Sequence, residues 1–330
     1  MIKILITEFI NQNSLDLLND KFKVHYDDKL WEKTDELKEI INDYDGLIVR
    51  NKTQVNQDIL KKTNNLKFVG RLGVGLDNID TKFCEEKNIH VQPATGMNAD
   101  SVVEYVISSS LSLIKKIPLF HNGTIKGEWP RTSIKSEEIR GKTLGLIGYG
   151  TIGKKVSNYC SNLGLNIIAY DPYLKDQTSD QNVKFVELDE IYGASNIISL
   201  HLPLTDDTKN LINKSSFSKM KEKPIIINTS RGSIINEDDL IEAYNTNLIS
   251  GFALDVFENE PIKESFYNKI KSNINCILTP HISGVTTQSN ERVCNFITDP
   301  LEVFIIIGFS FIFENELLFI RFFVSSVSGK

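Results

Sequence analysis

LGLIGYGTIG, residues 144–153, is the stretch on which the fold of this 330-residue chain turns. Thr143–Ile147 reads as a buried strand, and Ile152–Leu163 reads as the helix that follows it. Gly148-Tyr149-Gly150-Thr151-Ile152-Gly153 has the spacing G-x-G-x-x-G between those two elements, the context that gives the pattern meaning. Gly148 permits the tight turn, Gly150 lets backbone approach a pyrophosphate, and Gly153 allows close packing of helix on strand. The start of the helix offers unpaired amides and a positive dipole end to phosphates, with Thr151 and Ile152 in its first turn. Asp171 stands 18 residues beyond Gly153, at the end of a second strand, Asn166–Tyr170. A carboxylate there accepts hydrogen bonds from an adenosine ribose and repels a 2′-phosphate, so NAD is the expected cofactor rather than NADP.

Outward from this unit the strand–helix alternation continues. Asn196–His201, Ile225–Asn228, Gly251–Leu254 and Ile277–Thr279 read as further strands, and Glu237–Tyr244 as a helix between them. Such a series predicts a doubly wound α/β domain with a parallel sheet. Upstream, Ile2–Ile6, Gly46–Val49, Leu66–Val69 and Ile89–Val91 read as strands of a smaller α/β domain. Ser14–Asn19 and Thr34–Ile41 are its amphipathic helices. Between the two series, Val102, Val103, Val106, Ile107, Leu111 and Ile114 recur at helical spacing. Asn98 or Ser101 is the expected cap, Ser101 and Glu104 have capping-box spacing, and Pro118 ends the pattern. The expected domains are residues 1–97, 98–285 and a return to the first domain over 286–330.

Composition excludes several classes. Lys plus Arg number 37 against 43 Asp plus Glu, a net charge of −6 that draws the chain to neither nucleic acid nor anionic membrane. Four cysteines lie far apart without a C-x-x-C pair, so neither a disulfide framework nor a metal site is expected. MIKILITEF lacks the apolar core of a signal peptide, which leads to a cytoplasmic expectation.

Three residues stand just after strands of the larger domain: Arg231 in INTSRG, Glu260 in DVFENEP and His281 in TPHISG. Ligands of open α/β sheets bind beyond the carboxyl ends of the strands, so the three are expected to converge. Singly, each also reads as a salt bridge or a packed histidine. Together they suit hydride transfer at a hydroxy-acid carbon. Histidine takes or gives the hydroxyl proton near neutral pH, a carboxylate fixes its tautomer, and a guanidinium holds a substrate carboxylate bidentately.

With these motifs the chain resembles the D-isomer-specific 2-hydroxyacid dehydrogenases over about residues 1–297. RLGVGLDNID from Arg71, LGLIGYGTIG, HLPLT from His201, INTSRG, GFALDVFENEP and TPHISG carry the resemblance. It implies a Rossmann-type NAD domain inserted in a smaller flavodoxin-like substrate domain, with the active site between them. Arg231 would hold the substrate carboxylate, Glu260 would pair with His281, and His281 would be the acid/base. Asp255 would bind the nicotinamide carboxamide, with Pro203, Thr229, Ser230, Ser283 and Gly284 also lining the NAD site. A homodimer through the NAD domain is implied as well.

Within the family the stretch resembles the phosphoglycerate-oxidising members most. Arg50 and Asn51 in LIVRNKTQV would meet a phosphate, and Arg then Ser is usual there. Val74 and Gly75 would offer amides to the substrate carboxylate, and Asn98 would contact substrate. Lys52, Arg71 and Arg131 could add positive potential. The expected reaction is NAD-dependent oxidation of 3-phosphoglycerate, the first step of serine synthesis. Hydroxypyruvate or glyoxylate reduction is the alternative, and an NAD-sensing corepressor is an alternative of another class.

The resemblance fails from Pro300. Seven of the 18 phenylalanines and only five charges fall in the last 30 residues. VFIIIGFSFIF and LLFIRFFV leave four readings open: a membrane span, an interface helix, a buried strand, or an altered reading frame.

Overall fold

The computed structural model describes residues 1–174, 182–270 and 274–298. The described residues divide into two units, one of residues 1–98 with 287–298, the other Ala99–Thr286. The apolar stretch beyond Pro300 lies outside the described residues.

In the first unit β1 (Lys3–Ile6), β2 (Lys23–Tyr26), β3 (Gly46–Val49), β4 (Phe68–Arg71) and β5 (His90–Pro93) form a parallel sheet. Its order, β2-β1-β3-β4-β5, is the flavodoxin-like one. β3, GLIV, is buried along its whole length, because helices cover both faces of a parallel sheet. Alternate strand residues feed two apolar layers. Ile4, Ile6, Ile48 and Phe68 face one, Leu5, Leu47, Val49 and Val69 the other. The helix Thr287–Thr298 returns to this unit and places Val293, Cys294 and Ile297 in the first layer. β2 carries no apolar run in the sequence. KVHY is an edge strand, half exposed and half polar, and only its ladder with β1 makes it a strand.

The second unit holds β6 (Thr143–Ile147), β7 (Asn166–Tyr170), β8 (Val183–Phe185), β9 (Ile197–Leu200), β10 (Ile225–Asn228), β11 (Gly251–Leu254) and β12 (Cys276–Leu278). All pairs are parallel, in the order β12-β11-β10-β9-β6-β7-β8. The order reverses between β9 and β6, so the crevice of this doubly wound sheet opens at the glycine turn that follows β6. Three-residue β8 is again an edge strand that sequence pattern does not reveal.

The helix Ala99–Ile114 buries Val102, Val103, Val106 and Leu113 against Leu144, Leu146 and Ile167 of the sheet. The apolar stripe is thus a packing face. Its capping reading does not hold. Ser101 lies inside the helix with its hydroxyl on Thr286, and the Asn98 side-chain oxygen, though buried, has no partner. Pro118 occupies the first turn of a second helix, Ile117–Ile125, where a missing amide hydrogen costs nothing. Among the described residues no helix is long and apolar enough to cross a membrane.

Candidate active site

The carboxyl ends of the strands in the second unit bring the predicted NAD residues onto one rim. Gly148 follows β6 with φ +94°, and a Cβ there would stand 2.2 Å from the His201 carbonyl oxygen. Only glycine lets the turn pass under β9. Gly153 is as constrained, since its Cβ would meet the Gly148 oxygen at 2.5 Å. Gly150 is different: a Cβ there would meet nothing within 4 Å. Gly150 is also the N-cap of the helix Thr151–Asn162 and supplies no side-chain cap, so the amides of the first turn face open space. Asp171, one residue beyond β7, accepts from the Tyr149 amide at 2.9 Å and from the Tyr173 amide at 3.0 Å. Each carboxylate oxygen retains a lone pair for a ribose hydroxyl.

The turn after β10 is folded by Asn228, a buried residue that motif reading passed over. Its side-chain oxygen accepts from the Ser230 amide at 3.0 Å and its nitrogen donates to the Arg231 carbonyl at 2.9 Å. Asn two residues before Ser is the local signal for such a turn. Ser230 then donates its hydroxyl to the Leu200 carbonyl at 2.6 Å. The Thr229 hydroxyl is buried on this rim and has no protein partner. An unpaired buried hydroxyl calls for a ligand or water group to complete it. With the open space at Gly150 and the uncapped helix turn, these residues fit a dinucleotide: phosphates at the helix start, ribose at Asp171, the far end near Thr229. Pro203 lies in the loop after β9, where its carbonyl accepts from Thr208 at 2.7 Å.

Glu260 and His281 meet directly. The Glu260 Oε2 and His281 Nδ1 atoms are 2.8 Å apart, and Glu260 Oε1 accepts from the Phe257 amide at 3.1 Å. Burial, the largest influence on the Glu260 carboxyl, pushes its pKa up. The His281 hydrogen bond and charge, the Phe257 amide and the Arg231 guanidinium together outweigh it and hold the carboxyl below its ordinary value. Nδ1 therefore carries the proton toward Glu260 and Nε2 is left for other chemistry. Arg231 donates from Nη1 to the Ser230 carbonyl at 2.7 Å, which fixes the guanidinium on the same rim.

Asp255 is fully buried, and its carboxylate is engaged by the protein. Oδ1 accepts from the Thr279 hydroxyl at 2.6 Å and the Ile282 amide at 2.7 Å, and Oδ2 accepts from the Ser283 amide at 2.7 Å. The residue expected to meet the nicotinamide thus spends most of its capacity on the His281–Gly284 loop.

In the first unit the predicted substrate residues follow two adjacent strands. Arg50 and Asn51 follow β3, Val74 and Gly75 follow β4, and Asn98 comes later in the chain. Glu8, which motif reading missed, organises the first loop. Its carboxylate accepts from the amides of Arg50, Lys52 and Thr53 at 2.9–3.0 Å, while Asn78 donates to the Arg50 and Thr53 carbonyls. Arg50 donates to Asn290 at 3.1 Å, and Val74 is 40% exposed. Lys52 lies over the Trp31 ring, 4.1 Å from its centroid, rather than free in solvent. Among the described residues there is no group of three or more potential metal ligands.

Residues 107–283 match the D-isomer specific 2-hydroxyacid dehydrogenase NAD binding domain. A hydroxypyruvate reductase of Thermotoga maritima is 39% identical over 288 residues, 87% of this chain and 93% of that one. A D-3-phosphoglycerate dehydrogenase of Archaeoglobus fulgidus is 34% identical over 300 residues, 91% of this chain but 56% of its own. The preference for phosphoglycerate-oxidising relatives is therefore not upheld, since the reductase is the more similar of the two. Among solved structures, an NAD-dependent formate dehydrogenase of Staphylococcus aureus in complex with NAD superposes with a TM-score of 0.77. It is 27% identical and the match covers 93% of this chain and 96% of that one. The dinucleotide rim and the extent of these matches lead to one conclusion: the chain belongs to the D-isomer-specific 2-hydroxyacid dehydrogenases and is an NAD-dependent enzyme.

Proposed function

We propose that the enzyme interconverts a small 2-oxo acid and its D-2-hydroxy acid, with hydroxypyruvate or glyoxylate as the oxo substrate. The observation that carries this is the similarity to the Thermotoga maritima reductase, 39% over nearly the whole of both chains. In this reading His281 gives a proton through Nε2 to the reacting oxygen at C2, and takes it back in the reverse direction. Glu260 holds the opposite ring nitrogen and stabilises the imidazolium before transfer. Arg231 binds the substrate carboxylate, and its charge polarises the carbonyl. The cofactor, when bound, supplies or accepts the hydride at C2. Val74, Gly75 and Asn98 complete the substrate contacts.

Phosphoglycerate oxidation is the second reading, and Arg50 is the residue that favours it. Against it, Arg50 already has Asn290 as a partner, and Glu8 places a carboxylate on the same loop. Initial rates with NADH and hydroxypyruvate, glyoxylate or phosphohydroxypyruvate decide between them. The proposal expects kcat/KM for hydroxypyruvate or glyoxylate to exceed that for the phosphorylated acid by at least about tenfold, and the reverse order overturns it. The absence of turnover on all three, with NADH still bound, would point to a sensing protein instead. A homodimer through the NAD unit belongs to the same proposal, and light scattering should return twice the 37.4 kDa of one chain.

A further inference from the structure

The His281 loop is strained and yet well held. His281 has φ +56°, a left-handed conformation that a non-glycine residue adopts only under strain. Something must over-determine it. Asp255 supplies three bonds to the loop, but Asp255 is itself one end of a longer chain. The Thr279 hydroxyl has a single hydrogen and gives it to Asp255 Oδ1 at 2.6 Å. The Tyr105 hydroxyl lies 2.7 Å from the same Thr279 oxygen, so Tyr105 must be the donor there. Burial raises the Tyr105 pKa, which keeps the phenol protonated and able to donate. One helical turn earlier, the Ser101 hydroxyl lies 2.8 Å from that of Thr286.

Ser101 and Tyr105 are four residues apart on the helix Ala99–Ile114 and therefore share a face. Thr286 and Thr279 bracket the segment that contains His281. The two bonds fasten both ends of that segment to one face of a helix whose Val102, Val103, Val106 and Leu113, on another face, are packed on the sheet.

We infer that Tyr105 and Ser101 are positioning residues, which hold the His281 loop in its reactive conformation by stapling Thr279 and Thr286 to the Ala99–Ile114 helix. The inference rests on the reading of His281 as the acid/base.

The test compares Tyr105→Phe, Ser101→Ala, Thr279→Val and Thr279→Ser with the unmodified full chain. Amide hydrogen exchange of the 279–286 segment reads the staple, and kcat, KM and NADH affinity read its consequence. Tyr105→Phe removes one neutral hydrogen bond, which corresponds to about a fivefold rise in exchange and a similar fall in kcat. NADH affinity should stay within about twofold, since no group on the dinucleotide rim is changed. Thr279→Ser keeps the hydroxyl and should restore both quantities, whereas Thr279→Val should not. Unchanged exchange in both Tyr105→Phe and Ser101→Ala overturns the staple, as does equal behaviour of Thr279→Val and Thr279→Ser. Faster exchange with undiminished kcat overturns the positioning role, whereas failure of the acid/base reading itself shows separately as near-normal turnover of His281→Asn. Should Tyr105→Phe not fold, Ser101→Ala opens the other anchor and carries the same two measurements.

Discussion

Gly148 and Gly150 sit two residues apart in one motif, yet alanine at the two positions should damage different properties. At Gly148 the backbone has φ +94° and an added Cβ would lie 2.2 Å from the His201 carbonyl oxygen. The conformation alone costs an L-residue roughly 1–2 kcal/mol, and forcing a methyl against fixed backbone adds about 1–3 kcal/mol. Gly148→Ala is therefore expected to destabilise by about 3 kcal/mol, which for a unit of this size lowers Tm by on the order of 10 °C. At Gly150 the same methyl meets nothing within 4 Å, so Gly150→Ala should unfold within about 1–2 °C of the unmodified protein. Its methyl instead enters the space where backbone must approach phosphate. Losing two charge-assisted bonds of about 1.5 kcal/mol each weakens NADH binding by about a hundredfold. Thermal unfolding without cofactor gives the first quantity, and an NADH fluorescence titration gives the second. If Gly150→Ala binds NADH normally, the phosphates do not lie at this turn. If Gly148→Ala is as stable as the parent, the clash with β9 has been misjudged.

Other substitutions probe the rest of the rim. His281→Asn should lower kcat about 10²- to 10⁴-fold while NADH affinity changes less than about threefold; turnover near normal would remove its acid/base role. Glu260 has a carboxyl held below its ordinary pKa, so its contribution to stability is present above the unfolded value of about 4.3 and lost as the pH falls through the lower folded value. The pair is partly exposed, so Glu260→Gln should lower Tm by only about 1–3 °C near neutral pH. That gap should close below about pH 4, and a gap that widens on acidification would contradict the assignment. Asp171→Ala should weaken NADH by on the order of tenfold or more and narrow its advantage over NADPH. A parent enzyme that already prefers NADPH would refute the role of Asp171.

Much of the second unit is legible in one dimension because short-range chemistry dictates it. Glycine spacing, a buried strand before it and an acidic residue at the end of the next strand suffice to place the glycine turn after β6 and the carboxylate that caps it. Arg231, Glu260 and His281 are legible for a similar reason, since the ends of parallel strands must share one rim. Edge strands β2 and β8 are not legible, because KVHY and VKF have no apolar pattern and become strands only through a neighbour's hydrogen bonds. Ser101 and Glu104 carry a capping signature that the helix does not use, because it begins at Ala99 and leaves Ser101 inside it, with its hydroxyl on Thr286, 185 residues away.

The amino-acid sequence by itself determined the α/β layering, the glycine turn after β6 and the identity of the charged groups after each strand. Those follow from periodicity and from residue types that few backbone conformations accept. Only the tertiary structure decided how the polar side chains divide their bonds. Asp255 grips the His281 loop, Glu8 ties down the Arg50 loop, and Tyr105 reaches Thr279 across 174 residues of chain. A hydrogen bond depends on atoms meeting within about 3 Å at the right angle, and folding alone sets which distant atoms meet.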